Sequence, residues 1–90
     1  MVTLEEIFTM ANSSVTFINS INTEGLDSEY APDGATQEQI NEMIQRNVDH
    51  LQIILAYNGL HGKPDVAGSS EDKSSYTDAI ATGNAYIAAN

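Results

Sequence analysis

The chain has 90 residues, of which 41% are hydrophobic and 18% charged, and its 13 acidic and three basic residues give a formal charge of −10 at pH 7. A chain of this length forms one domain around one core, and the absence of cysteine excludes disulfides and thiolate chemistry. The scarcity of Lys and Arg disfavours direct binding to nucleic acid and to anionic membranes, whereas basic proteins and cations are the natural electrostatic partners.

The N-terminal segment carries no targeting signal that we recognise. MVTLEEIF has neither the basic region nor the continuous apolar run of a secretory signal. No segment of the chain has the roughly 20 apolar residues that span a bilayer. We therefore expect a protein that is not secreted by a signal peptide and does not enter a membrane.

The first helix is predicted near residues 3–21. Thr3 followed by Glu6 is the pattern of a capping box, in which two side chains accept hydrogen bonds from backbone amides of the first turn. An apolar arc of two adjacent strips follows, wide enough to contact two neighbouring helices as in a three-helix bundle. The strips consist of Leu4, Ile7, Phe8, Ala11, Val15 and Ile18, and of Met10, Phe17 and Ile21.

The segment 22–35 is predicted to be a loop because it contains Gly25, Pro32 and four acidic residues. Leu26 and Tyr30 are the apolar residues expected to fix this loop on the bundle.

The same loop invites a comparison with a calcium-binding loop. Counting Asp27 as position 1 places Glu29 at position 3 and Asp33 at position 7. The pattern fails at the next requirements, since Ala31 occupies a ligand position and Pro32 stands where the sharp turn needs glycine. We predict no metal site and no cofactor, although the sequence leaves open whether these three carboxylates bind a cation loosely.

The second helix, near residues 36–58, has the clearest pattern in the chain. Thr36 and Gln39 form a capping box, and Asn58-Gly59 supplies the left-handed residue that commonly ends a helix. One face is apolar and predicted to be the core: Ile40, Met43, Ile44, Val48, Leu51, Ile54 and Leu55.

Three residues of the second helix depart from this simple pattern. Asn47 projects onto the apolar face, where we expect a hydrogen-bonded amide that fixes the register of the helices. Ile53 and Tyr57 project toward the polar side instead. Exposed apolar residues are common singly, and this pair predicts a contact surface.

A second loop and a third helix complete the chain. The Gly- and Pro-containing loop 59–70 is expected to pack through Leu60 and Val66. Ser69-Ser-Glu-Asp72 predicts a capped start for a helix near residues 71–88. Gly83 lies at the centre of its apolar face, which predicts close approach of another helix.

No enzymatic constellation is visible in the sequence. His61 is separated from His50 by a helix end and has no carboxylate partner at a fixed spacing. Ser74, Ser75 and Thr77 have no base beside them. No glycine pattern matches a phosphate loop, and no internal repeat is visible. We expect a non-enzymatic protein without an evident small-molecule substrate, built as an all-α, small three-helix bundle with two Gly/Pro-containing loops.

Two segments of the C-terminal half resemble small acidic helical proteins encoded among the structural genes of tailed bacteriophages. They are QRNVDHLQIIL, residues 45–55, and the closing YTDAIATGNAYIAAN, residues 76–90, separated by a Gly/Pro loop. The resemblance implies a virion-associated structural or assembly-accessory protein, found in the virion or the host cytoplasm. It implies contacts with other virion proteins, including self-association in repeated copies.

The residues expected to make such contacts are Ile53 and Tyr57 on the second helix and Tyr86 and Ile87 in the closing tail. The alternative is an acidic inhibitor that imitates DNA and occupies a basic site on a host defence protein, which uses the charge of −10 directly. Against this alternative, the carboxylates gather at helix starts and in loops instead of forming a long regular series.

Overall fold

The computed structural model describes residues 2–90, and within that range it contains three α-helices and no strand. The helices are α1 (Leu4–Glu24), α2 (Gln37–Leu55) and α3 (Ser74–Ala89), and each of them packs against the other two. Short 3-10 turns at Gly25–Asp27 and Leu60–Gly62 lie in the two loops. The predicted all-α three-helix bundle is confirmed, with overall dimensions of 39 × 22 × 18 Å.

The core lies between the three helices and is built from one stripe of each. The predicted face of α2 is confirmed: five of its residues are buried, and Met43 and Leu55 pack at its edge. Burial of these side chains supplies the main favourable contribution to folding. The buried apolar residues are Ile7, Ala11, Ile18 and Ile21 of α1, Ile40, Ile44, Val48, Leu51 and Ile54 of α2, Val66 of the second loop, and Tyr76, Ala79 and Tyr86 of α3.

The N-terminal half of α1 buries less apolar surface than its sequence predicts. Leu4 and Met10 are 38% and 47% exposed, whereas the polar Ser14 is 5% exposed. The bundle of three helices therefore covers only part of the predicted arc. The Thr3 cap is half formed: Thr3 Oγ1 accepts from the Glu6 amide at 3.1 Å, but the Glu6 carboxylate accepts from the Thr3 hydroxyl instead of its backbone.

The helix ends differ from the predicted ends by a few residues. α1 continues to Glu24 because Gly25, at φ 59°, donates its amide to the Ile21 carbonyl. In α2 the Thr36–Gln39 capping box forms in full, at 3.1 and 2.9 Å. The helix then ends at Leu55, three residues before the predicted end. The Ala56 amide donates to the Ile53 carbonyl at 3.1 Å, only three residues back, and so ends the α-helical pattern.

The start of α3 corrects the predicted cap at Ser69–Asp72. The Ser69 hydroxyl donates to the Val66 carbonyl at 3.0 Å and so belongs to the loop. Asp72 Oδ1 accepts the Ser74 amide at 2.9 Å, and this hydrogen bond lowers the pKa of the Asp72 carboxyl below its usual 3.8. Lys73 Nζ donates to the Ser69 carbonyl at 2.8 Å and closes the turn. These local hydrogen bonds delay the helix to Ser74.

Asn47 does not set the register between helices. Its Nδ2 donates to the Met43 carbonyl one turn earlier in α2, at 2.8 Å, and the residue is only half-buried. The expected satisfied amide is therefore present, but its partner lies in the same helix.

The predicted loop anchors are confirmed in part: Val66 of the second loop is fully buried, whereas Leu26 of the first loop is not. Leu26 is 48% exposed because the 3-10 turn directs it outward, and Ser28 takes its place in the protein interior. Ser28 is satisfied there by the Ser20 hydroxyl at 2.6 Å and the Tyr30 amide at 3.1 Å. Tyr30 packs edge-on against Phe17, with ring centroids 6.4 Å apart, and stays partly exposed.

Candidate contact surface

Ile53 lies on the outer side of the last turn of α2. It is 56% exposed, whereas Leu51 and Ile54 on either side of it are almost fully buried. The helix therefore separates core from surface sharply at this point, and Ile53 stands on the surface side by its position in the helical repeat. An isoleucine held out by a well-packed helix is available to a partner without any rearrangement.

Tyr57 follows one turn later and fastens the second loop to the end of α2. Its carbonyl accepts the Ala67 amide at 2.7 Å, and the Lys63 ammonium lies 4.6 Å from the centroid of its ring. This cation–π contact is worth about 0.5–1 kcal/mol at an exposed site. Tyr57 is half-buried by these contacts. Part of its side chain is therefore accessible to a partner, and the remainder packs against the protein.

Leu60 lies in the turn that follows α2. It was expected to pack inward, yet it is 59% exposed. Asn58 Oδ1 accepts its amide at 3.3 Å, and its carbonyl accepts the Lys63 amide at 3.1 Å. The turn also holds His61 in the left-handed region at φ 58°. The Gly/Pro pattern predicts a turn here but carries no signal for the side on which Leu60 points.

We call Ile53, Tyr57 and Leu60 the α2-end surface. The other two predicted contact residues, Tyr86 and Ile87, do not belong to it. Tyr86 is 8% exposed and its hydroxyl accepts from Gln37 Nε2 at 2.9 Å.

Gln37 is the first residue of α2, so Tyr86 packs at the opposite end of that helix from Ile53, about 24 Å away along the axis at ~1.5 Å per residue. Ile87 is half-buried against the core. The four predicted residues therefore form no single surface. Tyr86 is buried and is not part of the α2-end surface.

Carboxylates cover the surface. All 13 acidic residues are exposed, including Asp27, Glu29 and Asp33 of the first loop. Among residues 2–90, no group of three or more His, Cys, Asp or Glu side chains is arranged to hold a metal ion. Asp27 and Glu29 border an open groove of about 710 Å³ along the C-terminal half of α1, with Tyr30 at its side.

The structure brings together one pair that sequence reasoning missed, Ser14 of α1 and His50 of α2. Ser14 Oγ lies 3.3 Å from His50 Nδ1, although 36 residues separate them in the chain. A nucleophilic serine needs an accessible hydroxyl and a base oriented by a third group, whereas Ser14 is 5% exposed. The pair acts here as a hydrogen bond between α1 and α2, which explains why a polar residue occupies a core position of α1.

No protein-family model matches the chain, and no curated protein and no solved structure matches it significantly. In the part of the chain that the structure describes, no helix is both long enough and apolar enough to cross a membrane.

Proposed function

We propose that this protein is a non-enzymatic, virion-associated structural or assembly-accessory protein of a bacteriophage, acting through protein–protein contacts. The observation that carries the proposal is the α2-end surface, where two large aliphatic side chains, Ile53 and Leu60, are each more than half exposed. The resemblance of residues 45–55 and 76–90 to small phage structural proteins supports the phage context. The expected partners are other virion proteins and further copies of the chain, in the virion or the host cytoplasm.

The α2-end surface has the composition of a contact surface. Single exposed apolar residues are ordinary on proteins, but here an aromatic residue and two aliphatic ones belong to one helix end and its adjoining turn. The Lys63 ammonium lies 4.6 Å from the centroid of the aromatic ring, and the backbone of the turn is held by its own hydrogen bond. A backbone that is already ordered loses little entropy on binding, which favours recognition by this surface.

Mass spectrometry of purified phage particles tests the proposal, with the chain supplied in place of the native copy as wild type, Ile53→Ser or Gln52→Ser. Gln52 is the exposed neighbour of Ile53 on α2 and serves as the matched control. We expect the wild type and Gln52→Ser in the particles, or bound to virion proteins in the lysate, and a much smaller amount of Ile53→Ser. A wild-type chain that neither enters particles nor binds a virion protein would overturn the proposal.

A second candidate function is supported by the exposure of all 13 carboxylates. An acidic inhibitor that imitates DNA binds a basic cleft through such charges, and its affinity falls steeply with salt. Within α2, Glu38 and Glu42 lie one turn apart and Asp49 follows two turns later. The salt dependence of partner binding separates this function from the first one.

A further inference from the structure

The segment that follows α2 contains the only Asn-Gly step of the chain, Asn58–Gly59. The backbone nitrogen of a residue can attack the side-chain amide of an asparagine before it, and glycine hinders that attack least because it has no side chain. Both residues are exposed, and they lie between the end of α2 at Leu55 and the start of the 3-10 turn at Leu60. The Asn58 side chain is therefore free of the restraints of a helix and open to water.

The other asparagines that are followed by a residue stand in a different environment. A helix holds its backbone angles and uses its interior amides as hydrogen-bond donors. The nitrogen after a helical asparagine therefore reaches the side chain only when the helix opens locally, which costs free energy. The asparagines inside the three helices are Asn12, Asn19, Asn22, Asn41, Asn47 and Asn84.

The contacts of Asn58 favour attack on its side chain. Asn58 Oδ1 accepts the Leu60 amide at 3.3 Å. This hydrogen bond closes a ring that contains the Asn58–Gly59 peptide bond, so it folds the side-chain amide toward the Gly59 nitrogen. It also places a donor on the oxygen that becomes negative when the amide carbon is attacked. Among residues 2–90, neither the Gly59 amide nor Asn58 Nδ2 donates a hydrogen bond to the protein.

We propose that Asn58 is a site of spontaneous deamidation. The Gly59 nitrogen forms a bond to Asn58 Cγ, the bond from Cγ to Nδ2 breaks, and ammonia leaves with the proton that the Gly59 nitrogen has lost. The product is a five-membered succinimide ring. Water then adds to one of the two ring carbonyls and breaks its bond to nitrogen, which gives either an aspartyl residue or a β-linked isoaspartyl residue. The net reaction consumes one water molecule and releases one ammonia.

The modification changes the α2-end surface. Asn58 lies between Tyr57 and Leu60 in the chain, so a new carboxylate enters a surface whose exposed side chains are apolar. Burying a carboxylate without a partner charge is costly, and binding of an apolar partner should weaken. The isoaspartyl product also lengthens the backbone of the turn that positions Leu60. This consequence for binding rests on the proposed function, whereas the deamidation itself does not.

Peptide mapping of the purified full chain tests the site. The chain is incubated at neutral and at mildly alkaline pH and then cleaved with trypsin, which cuts after Arg46 and Lys73 but not after Lys63, because proline follows it. The peptide 47–73 carries Asn58, and its fragments separate Asn58 from Asn47. The peptide 1–46 carries the exposed helical controls Asn12 and Asn19. Conversion of an amide to an acid is read from the mass.

We expect conversion at Asn58 to be at least about tenfold faster than at Asn12 or Asn19, because those positions must first open locally. The rate should rise with pH, since the Gly59 nitrogen attacks after losing its proton. Asn58→Gln keeps an amide, but its longer side chain does not form the five-membered ring, so the peptide 47–73 of this variant should stay unchanged. An intact Asn58 after alkaline incubation, or equal rates at Asn58 and Asn12, would overturn the proposal.

The effect on the contact surface is tested in phage particles with Asn58→Asp and the matched control Asn58→Gln. We expect Asn58→Asp in the particles in several-fold smaller amounts than Asn58→Gln. Equal amounts would overturn the effect on binding. If the purified chain deamidates at Asn58 but neither the wild type nor the variants enter particles or bind a virion protein, the modification site stands and the proposed function fails.

Discussion

Gly83 of α3 and Val48 of α2 meet so closely that a Cβ atom on Gly83 would lie 2.6 Å from Val48 Cγ2. The same atom would lie 3.2 Å from Ile44 Cγ2 and 3.5 Å from Ile18 Cγ2. Gly83 is therefore the point where all three helices converge, and the close approach predicted from its position is confirmed. The contact with Val48 offsets the roughly 1 kcal/mol that glycine costs inside a helix relative to alanine.

We expect Gly83→Ala to lower the free energy of unfolding by about 1–3 kcal/mol, as overpacking of a core does. The new methyl group must displace Val48, whose branched side chain is stiff at χ1, and this strain outweighs the gain of ~1 kcal/mol in helix propensity. Urea unfolding measures the effect. Asn84→Ala, at an exposed neighbouring position, is the control and should be neutral or stabilising.

A double mutant identifies the clash as the cause. Val48→Ala alone leaves a cavity, but combined with Gly83→Ala it makes room for the new methyl group. The double mutant should therefore lose less free energy of unfolding than the sum of the losses of the two single mutants, as is common for residues in contact. Additive losses would show that the strain at Gly83 arises elsewhere.

The core assignment of α2 is tested at Leu51, which is fully buried. Leu51→Ala should destabilise the protein by about 2–5 kcal/mol through lost burial and the cavity left behind. The control is Ile53→Ala, two residues further along the same helix, where a side chain 56% exposed should change stability by less than about 0.5 kcal/mol. A loss below about 1 kcal/mol for Leu51→Ala in urea unfolding would contradict the core assignment.

The fold was predictable because three apolar stripes of helical period are separated by Gly/Pro loops, and burial of such stripes decides the architecture. The helix ends were less predictable, since each depends on competition between hydrogen bonds of similar strength. Ser69 has the residue type of a helix cap, but its hydroxyl reaches the Val66 carbonyl, and Asp72 holds the Ser74 amide instead. Sequence pattern alone does not decide between these partners.

The candidate surface was predictable only in part. Ile53 is assigned correctly to the outside by its angle from the α2 core residues, a local property of one helix. Tyr86 depends on Gln37, which lies 49 residues away in the chain and donates to its hydroxyl. Leu60 depends on how a turn with a left-handed His61 is oriented. Such long-range and turn-specific effects leave no periodic signal in the sequence.

Tyr76 should make stability depend on pH in the alkaline range. The residue is 4% exposed and stacks on Phe8, with ring centroids 5.8 Å apart. Burial, and secondarily the negative charge of Glu71, raise the pKa of its hydroxyl above the ordinary 10.0. The unfolded chain then loses this proton before the folded chain does, so the contribution is complete below about pH 10 and is lost as pH rises through the folded pKa.

Urea unfolding of the wild type and Tyr76→Phe at about pH 7, 10 and 11 measures this contribution. The variant keeps the aromatic stack and loses the ionisable group. Its difference from the wild type at neutral pH reports the loss of the hydroxyl itself, and the change in that difference with pH reports the ionisation. We expect the wild type to lose more stability than the variant between pH 10 and 11. Parallel curves would contradict a raised pKa at Tyr76.

The last prediction separates the two candidate functions by asking which surface carries partner binding. For a virion component that binds through apolar contact, Ile53→Ser should weaken binding by about 1–3 kcal/mol, the range for losing a buried aliphatic side chain at an interface. A substitution of Ile53 tests the surface more specifically than one of Tyr57, because Tyr57→Ala would also remove the contact with Lys63 and disturb the loop that packs against Tyr57. The partner is the virion protein captured from lysate, and titration calorimetry or surface binding gives the affinity.

The comparison variant changes Asp27, Glu29 and Asp33 of the first loop to amides, which removes three exposed charges and keeps the side-chain shapes. Exposed charges mainly change association rate and salt dependence, so for a virion component this variant should bind nearly as the wild type does, with a mild effect of salt between about 0.05 and 0.5 M. A DNA mimic reverses the pattern: it loses affinity in the amide variant, weakens steeply with salt, and tolerates Ile53→Ser. We expect Ile53→Ser to be the more damaging change, because the α2-end surface presents exposed apolar side chains whereas the three carboxylates stand in water, where their interactions with a partner are screened.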